Sequence, residues 1–367
     1  MDRKKEMQKR MSRFSKIAAK LDAYGLDAMM ITSEPNRLYA TEFAASDGMA
    51  IVTREGSYFF TDSRYIEAAQ KTVQDAEIRM NTVKTPVTDL ANEVIAKHHI
   101  KRLGFEAGYA TVASYNNWQK KLTGCELVAA TELLTELRAV KDAGEIERLI
   151  AAQRIAEKAL EEVLEFIKPG RTEKEISAYL QYRMLCHGAE KMSFEPIVVS
   201  GANSSLPHGV PTDKPIAEGE FLTMDFGCVL GGYCSDMTRT VAIGHATEEM
   251  EKVYHTVLTA QLTGIAAAKA GVTGKAVHEA AAKVIADAGY GEYFGHGFGH
   301  SVGVEIHEAP NASPTNDKPL PAGAAISAEP GIYLPGRFGV RIEDVMIIGE
   351  TESKSIMKAP KELLILH

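Results

Sequence analysis

Nothing in this chain of 367 residues reads as a membrane span, a nucleic-acid binder or a disulfide-stapled domain. No stretch approaches the roughly 18 consecutive apolar residues that crossing a bilayer requires. The net charge of −8 provides no basic excess to neutralise phosphates, so nucleic-acid partners are not expected. The 4 cysteines, at positions 125, 186, 228 and 234, include no CxxC pair and give no disulfide framework, which fits a reducing compartment. What remains is ordinary: 45% hydrophobic and 25% charged residues, enough for a large core. At about 150 residues per domain the length suggests two domains.

The basic N-terminus, MDRKKEMQKRMSRFSK, has no apolar segment behind it and does not read as a secretory signal. Met7, Met11, Phe14, Ile17 and Leu21 recur at helical spacing, so a helix is expected over Lys5–Tyr24 with the basic residues on its solvated face. A cytoplasmic protein is the simplest reading. Strands are expected at Leu26–Ser33, Met49–Thr53 and Ser57–Thr61, and helices at Tyr65–Thr72 and Val87–His98, which together suggest an α/β layer. Asp62-Ser63-Arg64-Tyr65 reads as a polar strand-to-helix corner rather than as chemistry. Long amphipathic helices begin beyond Thr131: Glu145–Ile167, one from the Thr172/Glu175 capping box to Leu185, Glu248–Ala270 and Gly274–Ala288. The boundary is placed near residue 130, giving domains 1–130 and 131–367, and no internal sequence repeat stands out.

Chemistry concentrates in the second half. Phe221–Leu230, Gly231-Gly232 and Tyr233–Gly244 read as a β-hairpin in which Asp225 faces Thr238. Asp236 then becomes a diagonal neighbour of Asp225, about 7–8 Å away at the backbone. His296, His300 and His307 fall within one glycine-rich stretch, HGFGHSVGVEIHE. A second hairpin, Ala324–Leu334 and Val340–Ile348 around a loop at Pro335–Gly339, carries Glu329, Arg341 and Glu343. Arg341 and Glu343 share a face, joined by Glu329 if the loop has an odd number of residues. A buried Glu343–Arg341 salt bridge would be the plain structural explanation of this second hairpin alone. Four strand-borne carboxylates without cations would repel and raise one another's pKa values. Two divalent ions would balance them, and oxygen ligands with one imidazole suit Mn²⁺, Co²⁺, Zn²⁺ or Mg²⁺.

The order Asp, Asp, His, Glu, Glu in the settings MDFG, SDMTRT, HGFGHSVGVEIHE, SAEPGIYLPG and VRIEDV resembles the aminopeptidase P and prolidase branch of the pita-bread metallopeptidases. The resemblance spans nearly the whole chain and implies an α/β (α+β) architecture. A smaller creatinase-like N-terminal domain would precede a pita-bread catalytic domain, built from two pseudo-symmetric copies of helices and antiparallel strands. It implies two divalent metal ions per chain, manganese first and cobalt or zinc as alternatives. Asp225 would bind one ion, Asp236 and Glu343 would bridge both, and His300 with Glu329 would complete the second. Glu329 would also shuttle a proton, and His208 would steady the tetrahedral intermediate. His296 and His307 would line the substrate pocket, and Arg341 would orient Glu343 or Asp236.

The implied reaction is hydrolysis of the Xaa-Pro bond at peptide N-termini by a homodimer whose substrates carry proline second, with no nucleic-acid or membrane partner. The alternatives are an Xaa-Pro dipeptidase (prolidase), a creatinase-like amidinohydrolase, and a non-enzymatic pita-bread binding module. The last two branches dispense with metal ligands that this chain retains. One position bears on the dipeptidase. Prolidases of this branch place an arginine after the His-Glu-x-Pro segment, where this chain has Asn311 in His307-Glu308-Ala309-Pro310-Asn311. A neutral amide there selects weakly for a free carboxylate, unless another cation such as Arg337 supplies the charge.

Overall fold

The computed structural model describes residues 12–367, which divide into two compact units, to Arg138 and from Ala139. No helix among the described residues is long and apolar enough to cross a membrane.

The first unit is built on one six-stranded sheet, in the order Glu77–Met80, Ser57–Thr61, Met49–Thr53, Ala28–Ile31, Arg102–Phe105, Glu126–Ala129. The three strands expected from sequence form its centre and pair antiparallel, and the outer strands add parallel. Alternation along each central strand feeds two cores. Met29, Ile31, Ala50, Val52 and Phe59 pack on one face, and Ala28, Met30, Met49, Ile51 and Phe60 on the other. The first helix runs from Arg13 to Lys20 and ends before the left-handed Gly25 (φ 62°); residues 5–11 of the expected helix lie outside the described residues. Asp62 is the expected corner, its Oδ1 accepting from the Arg64 amide at 2.8 Å. The division expected near 130 falls just before the helix Thr131–Ala139. That helix buries Leu133 and Leu134 in the first unit's core, so the units part eight residues later, at 138.

The second unit repeats one design with different residues. Helices Ala143–Phe166 and Glu173–Cys186 precede the strands Phe221–Phe226 and Met237–Ile243. Helices Glu248–Ala267 and Gly274–Asp287 precede Ala325–Ala328 and Asp344–Ile347. In each half the second helix is capped by a threonine, Thr172 or Thr273, which also bridges to a proline, Pro215 or Pro319. From that proline an equal number of residues leads to an acid, Asp225 or Glu329. The sequence shows no repeat because these devices recur without the residues between them. In the first half Leu222, Met224 and Phe226 pack on the helices; in the second Ile326 and Ala328 do so. Strand alternation therefore turns Asp225, Ser327 and Glu329 to the opposite face, away from the helices.

The hairpin registers place the acids. Asp225 lies opposite Thr238, and Leu230 opposite Tyr233 across Gly231-Gly232, as the sequence predicts. Both glycines take positive φ (57° and 75°), which a two-residue turn of this hand requires. In the second hairpin Leu334 pairs with Phe338, so the loop is three residues rather than five. It is still odd, and Ala328 pairs with Asp344, so continuing the ladder by one step sets Glu329 against Glu343.

Candidate metal centre

All five expected ligands, with His208, His296, His307, Asn311 and Arg341, line one cavity of about 700 Å³ in the second unit. Asp236, His300 and Glu343 each offer a ligand atom, and these lie within 4.8 Å of one another. Glu329 Oε1 is 3.2 Å from His300 Nε2 and accepts from Ser327 Oγ at 2.9 Å. Ser327 Oγ also accepts from the His300 amide at 2.9 Å, so one hydroxyl ties the imidazole strand to the acid strand. Gly299 is required there, because a Cβ would collide with the Ser327 carbonyl. The glycine thus serves the approach of another strand. His300 Nδ1 faces the Ser301 carbonyl at 3.2 Å, which leaves Nε2 for the acids, with Asp236 Oδ2 at 3.6 Å.

Arg341 departs from expectation. Neither Glu343 nor Asp236 is its partner, and the simple Glu343–Arg341 bridge does not form. Its Nη2 donates to Asp225 Oδ2 at 2.6 Å, Nη1 to Tyr333 Oη at 2.9 Å, and Nε to Thr238 Oγ1 at 3.1 Å. Glu343 is reached only through that threonine, whose hydroxyl donates to Oε2 at 2.7 Å. The ladder explains the difference: Arg341 pairs with Gly331 and Glu343 lies past the strand's end, so the guanidinium extends towards Asp225.

Thr238 and Tyr333 carry roles that the sequence reading missed. Thr238 already stood out as the residue facing Asp225, but an hydroxyl opposite an acid drew no role. Tyr333 had a signal in strand parity, since it shares a face with Glu329 and Gly331, and any Cβ at Gly331 would strike its ring.

The histidines differ in what they offer. His296 is half-buried and has both nitrogens engaged, Nδ1 with the Gly297 carbonyl (2.8 Å) and Nε2 with Tyr333 Oη (2.9 Å). It therefore presents its ring to the cavity, and burial keeps it neutral by lowering its pKa. His307 packs edge-on against His300 at 4.2 Å, and His208 stands exposed on the cavity rim. Asn311 lies directly opposite His300 in the strand ladder, with Oδ1 accepting from Ser313 Oγ at 2.9 Å. Arg337 is exposed and paired with Glu249, and it is not among the residues lining the cavity.

The electrostatics call for cations. Burial raises the carboxyls of Asp225, Asp236 and Glu343, the last two far above their ordinary range, and neighbouring acids add to the rise in Asp236 and Glu343. Burial acts on Glu329 in the same sense, but the hydrogen bond and charge of His300 reverse it and pull Glu329 down. His300, in turn, is raised by Glu329 despite its own burial. Asp225 Oδ1 is buried with no hydrogen-bond partner. Carboxylates that crowd, lack donors and take up protons are a donor set suited to divalent ions.

Comparison with known proteins agrees with this geometry. The model of metallopeptidase family M24 matches residues 147–350, and that of the creatinase/prolidase N-terminal domain matches residues 13–140. An uncharacterized peptidase of Bacillus subtilis is 41% identical over 93% of this chain and 96% of its own length. An Xaa-Pro dipeptidase of Pyrococcus furiosus is 34% identical over 96% and 99%. Among solved structures, an Xaa-Pro dipeptidase from Bacillus anthracis superposes with a TM-score of 0.93 at 39% identity, covering 96% of this chain and 99% of its own. An X-Pro aminopeptidase from Thermotoga maritima gives 0.89 at 35%, covering 93% and 98%. The paired helix-and-strand halves are the pita-bread architecture. The chain therefore belongs to metallopeptidase family M24, in the branch whose catalytic domain follows a creatinase/prolidase N-terminal domain.

Proposed function

We propose that the protein is a dinuclear-metal exopeptidase that hydrolyses the Xaa-Pro bond at peptide N-termini. The observation that carries this is the acid-rich, donor-poor pocket around Asp236, His300 and Glu343. Asp225 would hold one divalent ion, Asp236 and Glu343 would bridge two, and His300 with Glu329 would complete the second. Manganese is the first candidate, ahead of cobalt or zinc. The ions would supply Lewis acidity and an activated water. Glu329, held by Ser327 and His300, would carry a proton to the prolyl nitrogen as the amide breaks. That bond is a tertiary amide without an N–H, so the site must recognise it by shape and by its carbonyl. His208 and His307 would hydrogen-bond the tetrahedral intermediate from the rim, and the His296 ring would form part of the wall. Arg341 would keep Asp225 charged and oriented.

Relatives in this family carry both dipeptidase and aminopeptidase names. Asn311 favours the aminopeptidase for this chain. It sits opposite His300 and brings no charge, and Arg337 is committed to Glu249. Xaa-Pro-Xaa tripeptides should be cleaved at least as well as Xaa-Pro dipeptides in the presence of Mn²⁺. Rejection of every tripeptide would make the protein a prolidase instead. Retention of the five ligands speaks against an amidinohydrolase or a binding module. A cytoplasmic homodimer is the setting we propose, on the cysteine usage and the family resemblance. Size-exclusion with light scattering would test the dimer.

A further inference from the structure

Arg239 is buried next to Thr238 on the strand Met237–Ile243, and it touches none of the expected ligand atoms. Its guanidinium is saturated. Nη1 donates to the carbonyls of Thr238 (2.9 Å) and Glu343 (2.6 Å), and Nη2 to Asp344 Oδ1 (3.0 Å) and the Ala359 carbonyl (2.9 Å). Nε donates to the Pro360 carbonyl at 2.8 Å. Two consecutive residues thus hold every polar group of Glu343. Thr238 takes its amide (3.1 Å) and holds its carboxylate (2.7 Å), and Arg239 holds its carbonyl. The far side of the same guanidinium is bound to the C-terminal segment, which has further anchors. Ser355 Oγ and Lys361 Nζ reach Asp344 Oδ2 at 2.8 and 3.0 Å, and Glu157 accepts from the amides of Lys358 and Ala359.

We infer that Arg239 and Asp344 are positioning residues that make the C-terminal segment 355–361 a brace for Glu343, so that metal affinity depends on chain that does not line the cavity. The inference rests on the metal reading of Glu343 proposed above. A planar fork with five donors can bind four carbonyls and a carboxylate at once; a lysine, with three donors on one nitrogen, cannot. A bridging carboxylate must also be held in place before the metal arrives, and supports of this kind typically change affinity 10–100-fold.

The test is calorimetric titration of Mn²⁺ into metal-free wild type, Arg239→Lys, Asp344→Asn and a control, Leu180→Ala, which opens the helix core elsewhere. Arg239→Lys and Asp344→Asn should bind about tenfold or more weakly with unchanged far-UV circular dichroism, while Leu180→Ala keeps wild-type affinity despite its lower melting temperature. At saturating Mn²⁺ the loss should appear in kcat with KM for peptide held. Wild type that binds no metal would sink the metal reading itself. Wild type that binds, with both brace variants folded and binding equally well, would sink the brace alone. If neither variant folds, hydrogen exchange on wild type decides, because coupling is reciprocal. Mn²⁺ should slow exchange at the amides of Lys358 and Ala359 more than at Gly170, whose amide bonds to the Ile216 carbonyl. Equal effects would overturn the proposal.

Discussion

Two kinds of buried acid exist in this protein. In the first unit Glu106 accepts from the amides of Thr32 and Ser33, from the Ser33 hydroxyl and from Asn36 Nδ2. In the second, away from the expected ligands, Glu173 accepts from the amides and hydroxyls of Ser200 and Thr212 and from Asn203. Both have the donors that burying a carboxylate demands. In the cavity Glu343 takes one side-chain hydrogen bond, from Thr238, and Asp225 Oδ1 takes none. The chain is able to satisfy a buried acid with its own donors, and around the cavity it does not. On the metal reading proposed above, that shortage is what bound cations would make good.

The sharpest way to break that contrast is to remove the charge from one acid of each kind. Glu343→Gln, like Asp236→Asn, should lose metal and reduce hydrolysis to background. Glu106→Gln should leave metal binding intact and cost about 1–3 kcal/mol of stability through weaker acceptors. The metal-free Glu343→Gln protein should be at least as stable as wild type, since it lacks a carboxylate without compensation. Metal analysis and melting curves on the three variants check this, and a destabilised metal-free Glu343→Gln would erase the contrast.

Next in size is the division among the polar groups of the cavity. Glu329→Gln should lower kcat about 10²–10⁴-fold. His208→Ala and His307→Ala should keep metal and lose turnover, while His300→Ala should lose metal first. Equal metal loss in all three histidine variants would show that the roles are misassigned.

These assignments show what was legible in the sequence. The register of the first hairpin, its Gly-Gly turn and the Asp225–Thr238 pairing follow from counting along alternating strands, because a period of two leaves few choices; in the second hairpin counting gave the shared face but not the loop length. The capping box at Thr172 and Glu175 follows from spacing in the same way. Arg341 was on the right face with the wrong partner, since parity gives a face but not the reach of a long side chain. The outer strands Glu77–Met80 and Glu126–Ala129 went unrecognised because each is only four residues long, with both ends exposed and neither inner residue fully buried. Arg239 and Asp344 were invisible for another reason. Their partners are backbone carbonyls and side chains of the C-terminal segment, which no spacing rule connects to them.

A pH series should sharpen the comparison further. Glu343 is raised above its ordinary 4.5 in the fold, so the metal-free folded state binds more protons than the unfolded chain just above that pH. Its contribution to stability is therefore present below about pH 4.5 and is lost as pH rises towards the folded value. Asp236 acts in the same direction from 3.8. Saturating Mn²⁺ should abolish this decline, whereas the decline should persist in Glu106→Gln. Melting temperatures with and without metal across pH 4–8 would show it; identical slopes would contradict the shortage of cations.

The smallest expected effect is at Asn311. Asn311→Arg should shift kcat/KM towards Xaa-Pro dipeptides by about 10- to 100-fold, the range of one charge-assisted pair. No shift would place the residue outside substrate reach.

The central claim is that the acids around His300 are a two-metal site that cleaves the Xaa-Pro bond. The most direct measurement is the rate of Xaa-Pro-Xaa cleavage by chelator-stripped protein as Mn²⁺ is titrated back, with bound metal counted at each point. The rate should rise from background and reach its plateau as the second ion per chain binds. Full activity in the stripped protein, or metal binding that restores none, would contradict it.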